Sequence, residues 1–407
     1  RKCREGHLFV ALKGNRDGHN FIADAFKRGA VGVLASKKVP VPKGKFSILV
    51  EDTLKGFSKI ASNKRKRFQG TVIAVTGSVG KTTTKELLSQ FLSKRFFVYF
   101  NVKSYNNLIG VSYTLSNLPN STEVYVQELG TNRKGEIKEL TNIVKPDIAI
   151  VTHIGKAHTE NFKNIKEIVE EKLSITENAK IAIVPYQFKE LSKAEKTITF
   201  GEKGNISLKK LKLKQNGTEF TLSVGNFEER FFTDIPGYSV VNATMIAAAV
   251  SLEMEISLKD LKEAVLRFQP PEMRMNTLKL GRVTLINDAY NANPVSMANA
   301  IKVLSLYSKR KVAILGEMLE LEKAEEEHRK LGKLLKTHQI DAVITVGKNA
   351  AAILETFDGE AYHFKSRKEF LKFIKNYEFS NSVVLIKGSR ANRLEEAVEI
   401  LRKRYEG

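Results

Sequence analysis

From Thr71 to Lys85 the chain reads Thr-Val-Ile-Ala-Val-Thr-Gly-Ser-Val-Gly-Lys-Thr-Thr-Thr-Lys, and these residue types in this order can grip a phosphate. A β-branched apolar run ends at Thr76. Gly77, Ser78, Val79 and Gly80 make a tight turn, and Lys81, Thr82 and Thr83 open a helix-forming segment. In such a strand–turn–helix, backbone N–H groups point at an anion, Lys81 adds charge, and the Thr82 hydroxyl can ligate Mg²⁺. The longer P-loop pattern would need a glycine at 75, where Val75 stands, so this is a shorter G-x-x-G-K-T form. An ordinary βα turn with two glycines would not need Lys-Thr and a helix to follow in that order.

Other polar residues stand where they could complete such a site. Glu128 closes an apolar run and is either a Mg²⁺ ligand shared with phosphates or an exposed loop acid. His158 ends a polar stretch that begins at His153, and by itself reads equally well as a structural histidine. Around Ile165–Thr176 a helical period of about 100° per residue puts Ile165, Ile168, Val169 and Leu173 on one stripe. Lys172 falls inside that stripe, either as a lysine laying its stem along the core edge or as a buried, tuned functional amine. Asn106-Asn107 reads as a turn. Asn287 to Pro294 carries more side-chain hydrogen-bonders than a turn needs. Asn293-Pro294 can cap a following helix, which leaves Asp288 and Asn291 for a ligand such as a nucleotide.

The elements that must position these residues alternate. Residues 1–68 read as a small α/β unit, with strands at 7–12, 31–35 and 47–50, a helix at 21–28, and a linker over 63–70. From 71 onward apolar strands at 71–76, 123–128, 147–152 and 181–185 alternate with helices, which is the pattern of a mostly parallel sheet. Ligands bind beyond the carboxyl ends of such strands, where the glycine turn, Glu128 and His153–His158 all fall. Alternating strands at 208–213 and 219–224 imply an antiparallel flank. After Pro270-Pro271 a second doubly wound region follows, with strands at 282–287, 311–315, 342–346 and 383–387. The expected fold is α/β with three domains: residues 1–68, a central P-loop domain of a doubly wound, mostly parallel sheet over 69–270, and a Rossmann-like domain over 271–407.

Composition bounds the function. At 407 residues the chain is too long for one ordinary core. No apolar run nears the roughly 20 residues of a membrane helix. A single cysteine, Cys3, excludes an internal disulfide and a Cys-based zinc cluster, and it fits a reducing cytoplasm. Arg1-Lys2-Cys3-Arg4 is no signal peptide, and without an initiating Met the chain is expected to begin inside its gene product. The net charge of +22 comes from 67 basic residues spread beside 45 acidic ones, which suits small anionic substrates better than nucleic acid. The expected protein is cytoplasmic and monomeric, with no membrane or nucleic-acid partner.

Taken together, Thr76–Thr83, Tyr105-Asn106-Asn107, Glu128-Leu129-Gly130, His153–His158, Asp288–Pro294 and Leu315–Leu321 resemble the Mur ligases. The Tyr-Asn-Ala-Asn-Pro box, the Gly-Glu-Met-Leu-Glu-Leu box and Lys387-Gly388-Ser389-Arg390 resemble the branch of that family that adds D-alanyl-D-alanine. The resemblance spans nearly the whole chain, including Gly14–Phe21 and Gly29-Ala30. It implies ATP-dependent amide-bond formation through an acyl phosphate, with UDP-N-acetylmuramoyl-tripeptide and D-alanyl-D-alanine as substrates bound by the first and third domains. It also implies roles for single residues. Lys81 and Thr82 would hold the ATP phosphates and Mg²⁺, while Glu128 and His158 would bind a pair of Mg²⁺ ions. Lys172 would be carbamoylated, its added carboxylate supporting the metal. Asn107 and Asn242 would lie at the nucleotide, the latter near adenine. Arg274 would reach the phosphates, Asp288 the ribose, and Asn291 and Asn293 the nucleotide.

Two departures from the family pattern stand out. Tyr238-Ser239 replaces the usual His-Asn pair, and the Asp-Ser-Arg segment expected for the uridine is reduced to Arg1. Alternatives are a sister ligase adding a single amino acid, a folylpolyglutamate synthase-like enzyme, and a nucleic-acid-associated P-loop ATPase. The Asp-Asn-Pro-Arg box of the single-amino-acid branch is absent here.

Overall fold

The computed structural model describes residues 3–155 and 159–406. Strands β1 (Leu8–Val10), β2 (Gly32–Ala35) and β3 (Phe46–Leu49) form a parallel sheet in that order. The short helix α1 (Ile22–Lys27) closes a small core of Ala11, Ile22, Val33 and Ala35. Helix α2 (Thr53–Arg67) starts where the Asp52 carboxylate accepts the Leu54 and Lys55 amides at 2.7 and 2.9 Å. It runs through residues 63–67, so the linker expected there is corrected. Its basic stretch is helical because it has a surface to pack on: Arg65 donates to the Val144 and Lys145 carbonyls at 2.8 Å, and Ala61 joins the core of the next unit.

The central sheet is built from β4 (Thr71–Thr76), β5 (Val98–Phe100), β6 (Val124–Glu128), β7 (Ile148–Val151), β8 (Ile181–Pro185), β9 (Lys196–Gly201), β10 (Ile206–Lys214), β11 (Gly217–Val224) and β12 (Phe227–Thr233). Their order is β12-β11-β10-β9-β8-β7-β4-β6-β5. From β5 to β10 neighbours run parallel, and β10–β12 form an antiparallel meander. Helices α3 (Lys81–Leu92), α4 (Leu108–Ser116), α5 (Glu136–Val144), α6 (Ile165–Leu173), α7 (Tyr238–Glu253) and α8 (Leu258–Arg267) cover both faces. Side chains of α3, α7 and α8 pack on Ile73 and Val75 of β4, and those of α4, α5 and α6 on Val72 and Ala74, as strand alternation requires. With β6 on one side of β4 and β7 on the other, the crossovers leave in opposite directions. That opens a crevice at the carboxyl ends of these strands.

The third sheet comprises β13 (Asn276–Leu280), β14 (Val283–Asp288), β15 (Arg310–Gly316), β16 (Ala342–Val346), β17 (Glu360–Phe364) and β18 (Ser382–Lys387), ordered β13-β14-β18-β15-β16-β17. Only β13 is antiparallel among these described strands. Helices α9 (Pro294–Leu304) and α10 (Ala324–Thr337) cover one face, and α11 (Arg367–Asn376) and α12 (Glu395–Tyr405) the other. Among the described residues no helix is long and apolar enough to cross a membrane.

Candidate active site

The carboxyl end of β4 sets the centre of the site. Gly77 has φ 146°, and a Cβ there would collide with the Thr152 hydroxyl; Gly80 has φ 89°. Both torsions favour glycine. The turn is stapled to the strand beside it. The Ser78 amide donates to His153 O at 2.7 Å, Thr152 Oγ1 donates to Val79 O at 2.7 Å, and Ser78 Oγ donates to Gly155 O at 3.0 Å. Thr76 is buried, its hydroxyl donating to Leu129 O at 2.9 Å. Gly80 then caps α3 with no side chain, so the first amides of α3 keep their hydrogen-bonding capacity for a ligand.

Lys81 Nζ donates to Gly77 O at 2.7 Å and folds back over the turn. Burial pushes its pKa down, Glu128 opposes that, and Arg274 adds to it. A phosphate here would supply the anion that this desolvated ammonium lacks. Next to it, the Thr82 hydroxyl donates to Glu128 Oε2 at 2.7 Å, and Asn106 Nδ2 donates to Oε1 at 2.9 Å. The Glu128 amide is held by Asn101 Oδ1 at 2.8 Å. Thr82 and Glu128 are thus paired hard oxygen donors at an uncapped helix head, the donor set that Mg²⁺ shares with phosphates. Thr83, the next residue of α3, is 6% exposed and lines the same cavity.

A cavity of about 300 Å³ opens between this edge and the C-terminal unit. Its walls bring together Lys81, Thr82, Glu128, Asn107, Arg274, Asp288, Asn291 and Asn293. Several of these residues also hold local structure. Asn107 caps α4 by accepting the Gly110 amide at 2.9 Å, and Asn293 forms a capping box with Ser296 at the head of α9. Asp288 accepts from the buried Lys387 at 2.5 Å, and Lys387 also donates to Asn291 O at 2.9 Å. Arg274 stacks on the Tyr290 ring, 4.1 Å from its centroid, and the Tyr290 hydroxyl is hydrogen-bonded to Ser104 of the central unit. Met273 and Met275, on either side of Arg274, adopt left-handed φ of 60° and 56°. Strain of this kind, about 1–3 kcal/mol per residue, persists only where the surroundings enforce it.

Lys172 lies on α6, 2% exposed, and does not line the cavity. Its pKa is driven well down by burial, with Lys81 adding to the effect and Glu171, Glu128 and Glu136 opposing it. The stripe around it is narrower than its spacing suggested, because Ile165 is 47% exposed while Ile168, Val169 and Leu173 are buried. Asn242, on α7, does not line the cavity either; Gly237 through Val240, at the start of that helix, do. His158 lies outside the described residues. Among those described, no group of three or more His, Cys, Asp or Glu side chains gathers as a metal site. Sequence reasoning missed Ser104, Thr131, Glu136 and Lys387 as wall residues. Only Lys387 left a trace, as part of a motif given no role.

Comparison with known proteins bears on this geometry. The Mur ligase middle domain matches residues 75–251, and the Mur ligase glutamate ligase domain matches residues 273–390. The chain is 35% identical to the UDP-N-acetylmuramoyl-tripeptide–D-alanyl-D-alanine ligase of Bacillus subtilis, over 98% of this chain and 91% of the relative. Among solved structures it is similar to MurF from Acinetobacter baumannii, at 30% identity and a TM-score of 0.91, covering 99% of this chain and 92% of the other. It is also similar to MurF ligase from Thermotoga maritima in complex with ADP, at 28% identity and a TM-score of 0.89, covering 100% and 96%.

Proposed function

Since the chain belongs to the Mur ligase family, we propose that it joins D-alanyl-D-alanine to UDP-N-acetylmuramoyl-tripeptide with ATP, in peptidoglycan precursor synthesis. The observation that carries the reading is the uncapped head of α3, with Lys81, Thr82 and Glu128 gathered against it and Arg274 facing it across the cavity. The peptide's terminal carboxylate attacks the γ-phosphorus of ATP, giving an acyl phosphate and ADP. The dipeptide amine then attacks the acyl carbon, forming the amide as phosphate leaves. Transfer of a phosphoryl group asks mainly for positioning and charge neutralisation. The α3 amides and Lys81 hold the phosphates, Arg274 neutralises them from the C-terminal side, and Asp288, Asn291 and Asn293 border the nucleoside.

Mg²⁺ fits this donor set. Thr82 and Glu128 would hold it, with His158 as a further ligand, and when bound it supplies charge that offsets the phosphate oxygens. Lys172 fits a carbamate. Burial pushes its pKa well down and so favours the neutral amine, the form that adds to CO₂, and Glu128 lies close enough to act on its charge. Residues 1–68 are assigned to the UDP-sugar, 69–270 to ATP and 271–407 to the dipeptide, with Asn242 near adenine. The enzyme acts as a cytoplasmic monomer that needs no nucleic acid.

Phosphate release tests the reading. Release is expected only when tripeptide precursor and D-alanyl-D-alanine are both present. Equal turnover with a single amino acid, or stimulation by nucleic acid in their absence, would overturn it.

A further inference from the structure

The acid next to Lys172 has a different task. Glu171 is 5% exposed and does not line the cavity. Its carboxylate accepts the Gly135 amide at 2.6 Å and the Ile137 amide at 2.8 Å, with the Thr131 hydroxyl 3.3 Å away. Gly135 precedes α5 with φ 87° and supplies no capping side chain, so a carboxylate from another helix caps α5 instead. The same loop, running on from Glu128, brings Gly130, Thr131 and Asn132 to the cavity wall, and Glu136 at the head of α5 joins them.

Lys172 follows Glu171 on α6, and its amine is unlike those of the other lysines near the site. Lys81 is fixed to Gly77 O, Lys85 to Asn101 O, and Lys387 to Asp288. Among the described residues no hydrogen bond or ion pair fixes Lys172 Nζ, so its helix must place it. The other polar tie from α6 to that loop is Glu167 to Lys134 at 3.5 Å, where Lys134 is 65% exposed and water weakens the pair.

We propose that Glu171 is a positioning residue for the carbamoylation of Lys172, pinning α6 to the loop that follows Glu128 so that the amine is held where its carbamate can meet the metal. This rests on the carbamate reading of Lys172. In that step the neutral amine adds to the carbon of CO₂: an N–C bond forms from the nitrogen lone pair, one C=O π bond opens onto oxygen to give the carboxylate, and one N–H proton leaves to solvent.

The test uses the full chain in ¹³C-labelled bicarbonate, reading the carbamate carbon by NMR together with kcat, the ATP KM and Tm. Wild type should show a carbamate resonance that Lys172→Ala lacks. Glu171→Ala should lower carbamate occupancy and kcat together by about tenfold, the scale of losing a group that orients a metal ligand. The ATP KM should stay within about twofold, and added bicarbonate should restore part of the rate. Glu171→Gln, which keeps the shape and one acceptor oxygen, should fall in between, and it carries the test if the alanine variant does not fold. Wild-type occupancy and kcat in a folded Glu171 variant would overturn the proposal while leaving the carbamate intact. A wild type without a resonance that depends on Lys172 would overturn the carbamate reading and the proposal with it.

Discussion

Two helix heads in this molecule follow the same topology and end differently. Helices α3 and α9 both begin just past the carboxyl end of a parallel strand, and both face the cavity. Gly80 leaves the head of α3 uncapped, whereas Asn293 and Ser296 close the head of α9 with a reciprocal capping box, their N–H···O contacts at 2.9 and 3.0 Å. An open head offers its amides and the positive end of its dipole to an anion; a closed one has used them. The central unit therefore presents backbone amides to an anion, whereas the C-terminal unit presents side chains to the cavity: Arg274, Asp288 and Lys387. The division follows from one residue at each helix start.

Breaking the open head should cost most. Lys81→Ala should lower kcat by about a thousandfold, the scale of removing a charge that stabilises a transferring phosphoryl group, with Tm unchanged. A variant that releases phosphate at the wild-type rate would refute the role given to α3. On the closed side, Lys387→Met leaves Asp288 without its partner in a site only 13% exposed, and should destabilise the C-terminal unit by about 3 kcal/mol in urea unfolding. Asn293→Ala should cost about 1 kcal/mol through the lost cap, and Asn293→Ser should recover most of that. If the serine variant regains stability but not ATP affinity, Asn293 touches nucleotide as well as capping.

The smallest effect concerns pH and the loop after β15. His328 is fully buried, its Nε2 accepting the Met318 amide at 3.0 Å and its Nδ1 pairing with Ala324 O at 2.6 Å, which requires the neutral ring. Burial holds its pKa below the ordinary 6.5, so protonation favours the unfolded chain. Its contribution is complete above about pH 6.5 and is lost as pH falls toward the folded value. Tm measured between neutral and mildly acidic pH should fall less steeply in His328→Gln than in wild type.

Much of this was legible in the sequence where burial is two-sided. Strands Thr71–Thr76, Ile181–Pro185 and Ala342–Val346 lie where their apolar runs put them, because a parallel strand covered on both faces is apolar throughout. Strand β12, Phe-Glu-Glu-Arg-Phe-Phe-Thr, escaped notice because an edge strand with a wet face can carry charges. Helix α2 has no counterpart in the sequence reading, and Lys64–Arg67 at its end resembles a linker until α4 and α5 are placed beside it. Lys81, Thr82 and Glu128 were found from local spacing. Glu171 was not, since it caps a helix that starts 35 residues earlier in the chain, and only the folded chain brings the two together. The Glu-Met-Leu-Glu-Leu motif has a structural reading too: Glu317 accepts the Asn349 amide at 2.7 Å and its backbone is held by Asn392.

Arg274, which lines the cavity opposite the head of α3, sits on a stiff mount. Pro270 and Pro271 precede it, Met273 and Met275 hold uncommon torsions beside it, and Met275 packs against hydrophobic clusters of both the central and the C-terminal unit. A mount with so few neighbouring conformations makes the guanidinium travel with the whole C-terminal lobe. Any ligand that draws Arg274 inward must then move that lobe, and a lobe already moved inward would raise affinity for the ligand by the same factor.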